Sequence, residues 1–260
     1  MELFVDRFSL ENKNIVVTGA SSGIGHHFAG VLAEAGANVV LGARRLEKIE
    51  ERVEEVCASG GRAVGLCLDV LDRSSISSFL DAAEEAYGPV DVVINNAGVE
   101  SGAKIYTDID EEDWDRVLNT NLKSVWQISK MFTERVEKNE QKGGNIINVT
   151  STAAFRTIKG QFPYAVSKAA LVRATEVMAL EGARFGIRVN SLAPGYILTD
   201  VSRGLLESER GDRLRKGIPM RRYGNFEDLD GPLLLLASDA SAYMSGATLV
   251  VDGGHICAEL

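Results

Sequence analysis

The sequence repeats one pattern, in which a short apolar segment is followed by a turn and then by an amphipathic segment of helical length. Seven segments rich in β-branched residues are predicted to be strands, at residues 14–18, 37–42, 62–68, 90–95, 145–150, 187–193 and 248–251. Six segments between them have helical periodicity, at residues 24–35, 46–59, 74–87, 111–139, 164–184 and 225–238. This alternation, with strands that are apolar on both faces, predicts an α/β fold: a doubly wound parallel sheet of about seven strands with helices on both faces.

The length and the continuity of this pattern favour one domain. A chain of 260 residues with 45% hydrophobic residues can bury a sizeable core. No Pro/Gly/Ser-rich linker and no run of charge divides the sequence, so residues 1–260 are predicted to form a single domain. Residues 194–219 are long and mixed in charge, and we expect them to form a loop that covers a functional site.

Composition excludes several classes of protein. The chain has 28 Lys and Arg against 37 Asp and Glu, a formal charge of −9, and no basic block, which argues against nucleic-acid or anionic-membrane partners. The first ten residues lack the apolar core of a signal peptide, and no apolar run reaches membrane-spanning length. The three cysteines, Cys57, Cys67 and Cys257, are scattered and odd in number. They are interpreted as reduced thiols, so a cytoplasmic location is expected.

A glycine-rich turn joins the first predicted strand to the first predicted helix. It reads Gly19, Ala20, Ser21, Ser22, Gly23, Ile24, Gly25. Glycines allow a tight turn and let a pyrophosphate approach the backbone, where the amides and the dipole of the helix N-terminus stabilise the anion. The pattern therefore predicts a dinucleotide site, although a glycine-rich turn can also be only a tight turn.

The end of the second strand indicates which nicotinamide dinucleotide is bound. An acidic residue there would bind the ribose hydroxyls of NAD(H), whereas the chain has Arg44 and Arg45. A guanidinium can bind the 2′-phosphate of NADP(H) bidentately, so NADP(H) is predicted and NAD(H) is the less favoured alternative. Both arginines could instead be solvated residues that open a helix. Asp69 and Val70 follow the third strand and are predicted to meet the adenine, unless Asp69 is a helix cap.

Tyr164 and Lys168 are four residues apart in an apolar helical pattern, so their side chains share one helix face. A free phenol has a pKa near ~10 and exchanges protons poorly at neutral pH. A cation within about 4 to 6 Å favours the phenolate, so Lys168 is expected to lower the pKa of Tyr164 and make it a general acid/base. Taken alone, the pair could also be a packed ring beside a solvated amine. Ser151, just after the fifth strand, is a candidate to hold a substrate oxygen, or a serine that only caps a turn.

Further motifs occur in an order that resembles the short-chain dehydrogenase/reductase family, in its branch with the Tyr-x-x-x-Lys motif. They cover nearly the whole chain: Asn95-Asn96-Ala97-Gly98, Asn121, Ser151, Tyr164 to Lys168, Pro194-Gly195 with Thr199, and Val251 to Gly254. The resemblance implies a Rossmann-type fold and a catalytic set of Asn121, Ser151, Tyr164 and Lys168. It also implies cofactor contacts at Asn95, Ala97, Gly98, Tyr164, Lys168, Pro194, Gly195, Ile197 and Thr199. Two departures are His26-His27 after the turn and Ser22, where many NADP-using members carry Arg.

The resemblance also implies a reaction, in which a hydride passes between NADP(H) and a secondary alcohol or ketone, such as a carbonyl or 3-oxoacyl compound. Tyr164 would give or take the hydroxyl proton, Lys168 would bond the nicotinamide ribose, and Asn121 would position a water that links Lys168 to solvent. Two alternatives remain open. One is an NAD-dependent alcohol dehydrogenase of the same family, and the other is a non-catalytic dinucleotide sensor.

The substrate pocket is predicted to be mainly apolar. Its walls are expected from residues 98–103 and 152–161 and the loop after Gly195, with Arg156, Lys104 and Gln161 as polar anchors. The apolar wall residues are Val99, Ala153, Phe155, Ile158, Phe162 and Tyr196. The three histidines lack zinc-ligand spacing, so no catalytic metal is expected. By resemblance, the long helices at 111–139 and 164–184 and the C-terminal strand would form a homotetramer or homodimer.

Overall fold

A computed structural model describes residues 6–199 and 208–258, and these residues form the predicted α/β fold. Seven parallel strands build one sheet in the order β3-β2-β1-β4-β5-β6-β7. The strands are β1 (Asn14–Thr18), β2 (Asn38–Ala43), β3 (Arg62–Cys67), β4 (Val92–Asn95), β5 (Gly144–Val149), β6 (Ile187–Pro194) and β7 (Thr248–Val251). The strand order reverses between β1 and β4, so a crevice opens there at the carboxyl ends of the strands.

Eight α-helices connect or flank the strands in the described residues. They are α1 (Gly23–Glu34), α2 (Leu46–Ala58), α3 (Arg73–Tyr87), α4 (Glu111–Leu118), α5 (Ser124–Lys138), α6 (Phe162–Gly182), α7 (Glu209–Gly217) and α8 (Asp230–Ala237). A π-helical segment, Asn119–Lys123, joins α4 to α5. Single 3₁₀ turns lie at Asp6–Phe8, Tyr106–Asp108, Thr152–Ala154, Ala183–Phe185, Phe226–Leu229, Asp239–Ser241 and His255–Cys257.

Two of the predicted elements differ from the structure. The predicted helix at 111–139 is interrupted by the π-helical segment, and part of the predicted loop at 194–219 is helix α7. Helix α7 lacks an apolar stripe because most of its residues are charged or glycine, so periodicity does not reveal it. The Ser208 side chain caps it by accepting a hydrogen bond from the Gly211 amide at 3.3 Å. Residues 200–207 of that predicted loop lie outside the described residues.

The core lies in two layers, one on each face of the sheet. Because side chains of a strand point alternately to opposite faces, Ile15 and Val17 pack in the layer with α1, α2 and α8, whereas Val16 packs in the layer with α3, α5 and α6. All three side chains are fully buried. The central strands are therefore covered on both faces, as the sequence predicts. Within the described residues, no helix is both long enough and apolar enough to cross a lipid bilayer.

Candidate active site

Two adjoining clefts open at the carboxyl ends of the strands. The nucleotide cleft, of about 510 Å³, runs along the glycine turn and the ends of β2 and β3. The catalytic cleft, of about 260 Å³, contains Ser151, Tyr164 and Lys168. The two clefts share lining residues, among them Ile24, Gly98 and Thr199, so a ligand in one reaches the other. Most of the sequence-predicted binding and catalytic groups therefore line one continuous crevice, and the exceptions are Gly23, Gly25, Asn95 and Asn121.

The glycine turn is packed so tightly that side chains cannot be added at two positions. Gly19 has φ +68°, and a Cβ there would lie 2.7 Å from the Cα of Ala97. A Cβ on Gly25 would lie 2.3 Å from Nδ2 of Asn96 and 2.7 Å from the Gly19 carbonyl oxygen. Gly23, the first residue of α1, has φ +62°, a left-handed conformation that glycine adopts without steric cost. These contacts explain why glycine occupies these positions.

The start of helix α1 has the features that a pyrophosphate site requires. Ser22 is the N-cap residue in extended conformation, and its side chain does not cap the helix, so the first amides remain available to an anion. Gly19, Ser21, Ser22 and Ile24 line the nucleotide cleft here, whereas Gly25 is buried. A cleft lined by a glycine turn and an uncapped helix N-terminus fits a dinucleotide.

The two arginines after β2 differ in their contacts. Arg45 lies across the glycine turn, where its guanidinium donates to Ser21 Oγ at 2.9 Å and to Ser22 Oγ at 2.8 Å. Arg44 is exposed and lines the same cleft. Both positions fit contacts to a phosphate on the adenosine ribose, and Arg45 is already hydrogen-bonded to two hydroxyls of the glycine turn.

Asp69 and Val70 line the nucleotide cleft next to the arginines. The Asp69 carboxylate accepts a hydrogen bond from the Leu71 amide at 3.0 Å, which closes a turn. The N-cap of helix α3 is Asp72, whose side chain accepts from the Ser74 amide at 2.8 Å. The helix-cap alternative for Asp69 is therefore wrong, and its contact to an adenine stays a prediction.

Two residues that hold the crevice together were not singled out from the sequence. Thr18 Oγ1 accepts hydrogen bonds from the amides of Asn96 at 3.1 Å and Ala97 at 3.0 Å. Asn96 Nδ2 donates in return to the carbonyls of Thr18 at 2.9 Å and Gly19 at 3.1 Å. These bonds tie the glycine turn to the end of β4. Asn96 belongs to the Asn95-Asn96-Ala97-Gly98 motif, so the sequence marks its position but not the hydrogen bonds that it forms.

Asn95 and Asn121 are buried rather than exposed to the clefts. Asn95 Nδ2 donates to Asn148 Oδ1 at 2.9 Å, and so links β4 to β5. Asn121 is 0% exposed and lies in the π-helical segment, where its Oδ1 accepts from the Val99 amide at 2.8 Å and its Nδ2 donates to the Val99 carbonyl at 2.9 Å. Asn121 thus fixes the backbone of Val99, which lines both clefts.

Ser151, Tyr164 and Lys168 meet in the catalytic cleft. Ser151 starts the turn after β5, where its Oγ accepts from the Ala153 amide at 3.1 Å, and it is hydrogen-bonded to the Tyr164 hydroxyl. Lys168 is only 4% exposed, and its Nζ donates to the Val149 carbonyl at 2.8 Å. The ammonium lies 5.7 Å from the centre of the Tyr164 ring. Ser151 both caps a turn and faces the cleft, so the two interpretations of this serine are compatible.

Burial changes the expected acidity of both groups. It raises the pKa of Tyr164 to about 12, an effect that the Ser151 hydrogen bond opposes and the Glu100 charge reinforces. Burial also lowers the pKa of Lys168 from its usual 10.5 to about 8. The expectation that Lys168 lowers the pKa of Tyr164 is therefore wrong for the protein by itself. Desolvation penalises the phenolate and the ammonium alike, and it outweighs the attraction between them.

The remaining predicted contacts lie along the segment after β6. Pro194, Gly195, Ile197 and Thr199 all line the catalytic cleft, and Thr199 lines the nucleotide cleft as well. The Gly195 amide donates to the Val251 carbonyl at 2.9 Å, and a Cβ on Gly195 would lie 2.7 Å from the Cβ of Asp252. The motifs at 194–195 and 251–254 are thus packed directly against each other.

The three side chains predicted as polar anchors of the substrate pocket do not line the catalytic cleft. Lys104 forms ion pairs with Asp110 and Asp113, and Arg156 donates to the carbonyls of His255 at 2.6 Å and Ala258 at 3.5 Å. The Oε1 of Gln161 is buried without a hydrogen-bond partner. Neither these three residues nor Phe155 and Phe162 line the catalytic cleft, whose apolar wall includes Val99, Tyr196 and Ile197.

Metal-ligating side chains do not cluster anywhere in residues 6–199 and 208–258. His27 instead pairs with Asp230 at 2.6 Å and stacks on Phe226 with ring centres 5.2 Å apart. Cys57, Cys67 and Cys257 are free and exposed thiols.

Known proteins are similar to this chain in both sequence and structure. The family model described as enoyl-(acyl carrier protein) reductase matches residues 19–255. The 3-oxoacyl-[acyl-carrier-protein] reductase of Thermotoga maritima is 38% identical over 247 residues, which cover 95% of this chain and 99% of that protein.

Two crystal structures give the same result. A short-chain type dehydrogenase/reductase from Mycobacterium marinum is 35% identical with a TM-score of 0.91, and the match covers 97% of this chain and 99% of that one. A gluconate 5-dehydrogenase from Burkholderia cenocepacia J2315, in complex with NADP and tartrate, is 32% identical with a TM-score of 0.93. That match covers 98% of this chain and 100% of the other.

Proposed function

The chain belongs to the short-chain dehydrogenase/reductase family, and on this basis we propose that it transfers a hydride between NADP(H) and a secondary alcohol or ketone. One observation carries the proposal. Ser151, Tyr164 and Lys168 share a cleft that continues into the cleft along the glycine turn. A proton donor and a dinucleotide site in one crevice are what hydride transfer to a carbonyl requires.

The residues of the crevice divide into a binding set and a catalytic set. The glycine turn, with α1, holds the pyrophosphate, while Asp69, Val70, Ala97 and Gly98 lie along the adenosine side. Asn95 supports this side from the core through Asn148. Pro194, Gly195, Ile197 and Thr199 meet the nicotinamide end, and Lys168 bonds the nicotinamide ribose. Residues 1–260 act as one dinucleotide-binding and catalytic domain.

Tyr164 is the general acid of the reduction. The nicotinamide supplies the hydride when bound, and Tyr164 donates its hydroxyl proton to the substrate oxygen. Burial raises the pKa of Tyr164 and so keeps its hydroxyl protonated at neutral pH, which is the form that ketone reduction requires. Alcohol oxidation needs the phenolate as the base and therefore gains from higher pH.

Three neighbouring groups assist Tyr164. Ser151 donates a hydrogen bond to the substrate oxygen and stabilises the charge that develops there. Lys168 is fixed beside the tyrosine ring by its bond to Val149, where its ammonium can attract the phenolate that forms as the proton leaves. Asn121 keeps Val99 in place and positions a water that links Lys168 to solvent.

NADP(H) is the preferred cofactor in this proposal. Arg44 and Arg45 lie at the end of β2, where the adenosine ribose is bound in this fold. Among the described residues that line this cleft, Asp69 is the only acidic one. Charge-assisted contacts to a 2′-phosphate are worth roughly 1.5 to 3 kcal/mol, or about ten- to a hundredfold in preference.

The substrate is proposed to be a medium-sized ketone or a 3-oxoacyl compound. The apolar wall of Val99, Tyr196 and Ile197 supports this class, as does the similarity to a 3-oxoacyl reductase.

We further propose a cytoplasmic homotetramer or homodimer. Free thiols at all three cysteines fit a reducing compartment, and the exposed Trp126, Val177 and Leu180 on α5 and α6 suit a helix-to-helix interface.

A panel of ketones and secondary alcohols tests the function. Each compound is mixed with the protein and NADPH or NADP, then with NADH or NAD, and the absorbance of the reduced nicotinamide is followed. We expect oxidation of NADPH with at least one ketone, at a kcat/KM more than about tenfold above that with NADH. Tight NADPH binding without any absorbance change across the panel would instead identify a non-catalytic dinucleotide sensor.

A further inference from the structure

The catalytic cleft has only two charged side chains among the described residues that line it, Lys168 and Glu100. The Lys168 ammonium is buried against the Val149 carbonyl at the base of the cleft. Glu100 is exposed and follows Val99 directly in the chain. The charge that an arriving substrate meets first is therefore the Glu100 carboxylate.

The backbone on both sides of Glu100 is fixed. Arg116 Nη2 donates to the Glu100 carbonyl at 3.3 Å, and Asn121 holds both polar groups of Val99. Within residues 6–199 and 208–258, no cation lies within ion-pair distance of the Glu100 carboxylate. Its charge also acts on the reacting group, since it adds to the effect of burial in raising the pKa of Tyr164, against the Ser151 hydrogen bond that lowers it. An uncompensated negative charge thus stands beside the catalytic tyrosine.

The neighbouring cations already have partners. Lys104 is paired with Asp110 and Asp113, and Arg116 donates to Asp113 at 3.2 Å as well as to the Glu100 carbonyl. Arg156 is bonded to the C-terminal carbonyls of His255 and Ala258. A substrate carboxylate in the catalytic cleft would find no free counter-ion among these three side chains and would face Glu100 instead.

We propose that Glu100 sets the charge selectivity of the catalytic cleft, so that the protein accepts ketones and alcohols that are neutral beside the reacting carbon and rejects those with a carboxylate there. The inference rests on the proposed function and narrows its substrate class. A 3-oxoacyl thioester is uncharged next to its keto group and therefore belongs to the accepted class, whereas a free 3-oxo acid carries its carboxylate next to the keto group.

Acetoacetate and ethyl acetoacetate test the inference, because the two differ mainly in the carboxylate. Their kcat/KM values for reduction with NADPH are measured in the wild type, in Glu100→Gln and in the control Glu112→Gln, an exposed glutamate of α4. Like charges in a partly desolvated cleft should favour the ester by about tenfold or more in the wild type. We expect Glu100→Gln to reduce this ratio at least about fivefold, and Glu112→Gln to leave it unchanged.

Ionic strength gives a second measure of the same charge. The wild-type preference for the ester should shrink between low and high salt, because salt screens the repulsion between the Glu100 carboxylate and the substrate carboxylate. The preference of Glu100→Gln should not change with salt, because this variant lacks that repulsion. An equal ratio in the wild type and Glu100→Gln, or a wild-type preference for acetoacetate, would overturn the inference.

Failure of the proposed function itself gives a different result. If the wild type reduces neither compound, the dissociation constants of both from the NADPH-bound protein are measured by protein fluorescence in the same three variants. Tighter binding of the ester than of acetoacetate, by a factor that falls in Glu100→Gln, supports charge selectivity. Equal dissociation constants of the two compounds in the wild type overturn it.

Discussion

At the scale of single residues, Tyr164 and Lys168 show how burial competes with charge. Their separation of four residues gives the shared helix face, and the 5.7 Å distance from ammonium to ring agrees with it. The direction of the pKa shift could not be predicted in the same way, because it depends on how completely the rest of the fold excludes water. The result is a protonated tyrosine beside a lysine whose pKa is lowered to about 8.

Lys168 should make the free energy of unfolding depend on pH in the alkaline range. Its pKa is about 8 in the folded state and 10.5 when unfolded, so between these values the unfolded chain binds more protons. Stability therefore rises with pH in this window, by up to about 3 kcal/mol from this group. In Lys168→Met the contribution is absent. Chemical denaturation at pH 7.5 and at about pH 10 measures the difference in the free energy of unfolding between the wild type and the variant.

We expect the free energy of unfolding of the wild type to rise relative to that of Lys168→Met as pH increases from 7.5 to about 10. The methionine variant also leaves the Val149 carbonyl without its bond, which costs about 1 to 3 kcal/mol at every pH and so does not affect the comparison. A difference that stays constant from pH 7.5 to 10 would mean that Lys168 is not held in a desolvated site.

Arg44 and Arg45 should share the discrimination between the two cofactors. Arg44→Ala and Arg45→Ala are each expected to lower the NADPH over NADH ratio of kcat/KM by about tenfold, because each removes one charge-assisted contact to the 2′-phosphate. Arg173→Ala, which removes an arginine paired with Glu176 on α6, serves as the control. A wild-type preference for NADH would contradict the role of both arginines.

At the scale of elements, the glycine turn depends on its contact with the segment after β4. In Gly25→Ala, the new Cβ would overlap Asn96 Nδ2 and the Gly19 carbonyl, so the turn must move. We expect a loss of about 1 to 3 kcal/mol in stability and a rise of at least about tenfold in the NADPH dissociation constant. Thermal unfolding and a fluorescence titration with NADPH measure the two effects.

Gly231→Ala is the matched control for this change. Gly231 lies in α8, and a Cβ there would have no neighbour within 4 Å among the described residues. Alanine is the better helix former, so this variant should be as stable as the wild type or slightly more stable, with unchanged NADPH affinity. If the two variants behave alike, the close packing at Gly25 has no functional role.

The strands could be predicted from the sequence to within two residues at each end, because buried parallel strands form apolar runs that turns interrupt. The π-helical segment could not, since residues 111–139 keep a helical period throughout and the change lies in backbone hydrogen bonding. Helix α7 was missed for the opposite reason, because it has no apolar stripe. The role of Arg156 could not be predicted either, because its hydrogen bond to the His255 carbonyl joins residues that are far apart in the chain.

At the scale of the whole molecule, the exposed apolar residues of α5 and α6 predict an oligomer. Leu180 is 80% exposed and Trp126 is 53% exposed, values that suit an interface better than a free surface. The mass in solution, measured by light scattering, should correspond to four or two chains, and Leu180→Arg should lower it. Leu46→Arg, on α2, should not. A wild-type monomer at micromolar concentration would contradict the interface.

The arrangement of the molecule brings a nucleotide cleft and a proton donor to one edge of one sheet. The switch point between β1 and β4 creates the crevice, the glycine turn and the arginines line one end, and the turn after β5 with α6 lines the other. In the proposed function, binding and chemistry use largely different side chains, and Lys168 takes part in both.

Tyr164→Phe is the most direct test, because it removes a single hydroxyl from the catalytic cleft. For the best ketone of the panel, kcat/KM with NADPH should fall by about 10²- to 10⁴-fold, the range for the loss of a general acid. The NADPH dissociation constant, measured on the same samples, should change by less than about threefold. Wild-type turnover in Tyr164→Phe, or a loss explained entirely by weaker NADPH binding, would contradict the assignment of Tyr164 as the proton donor.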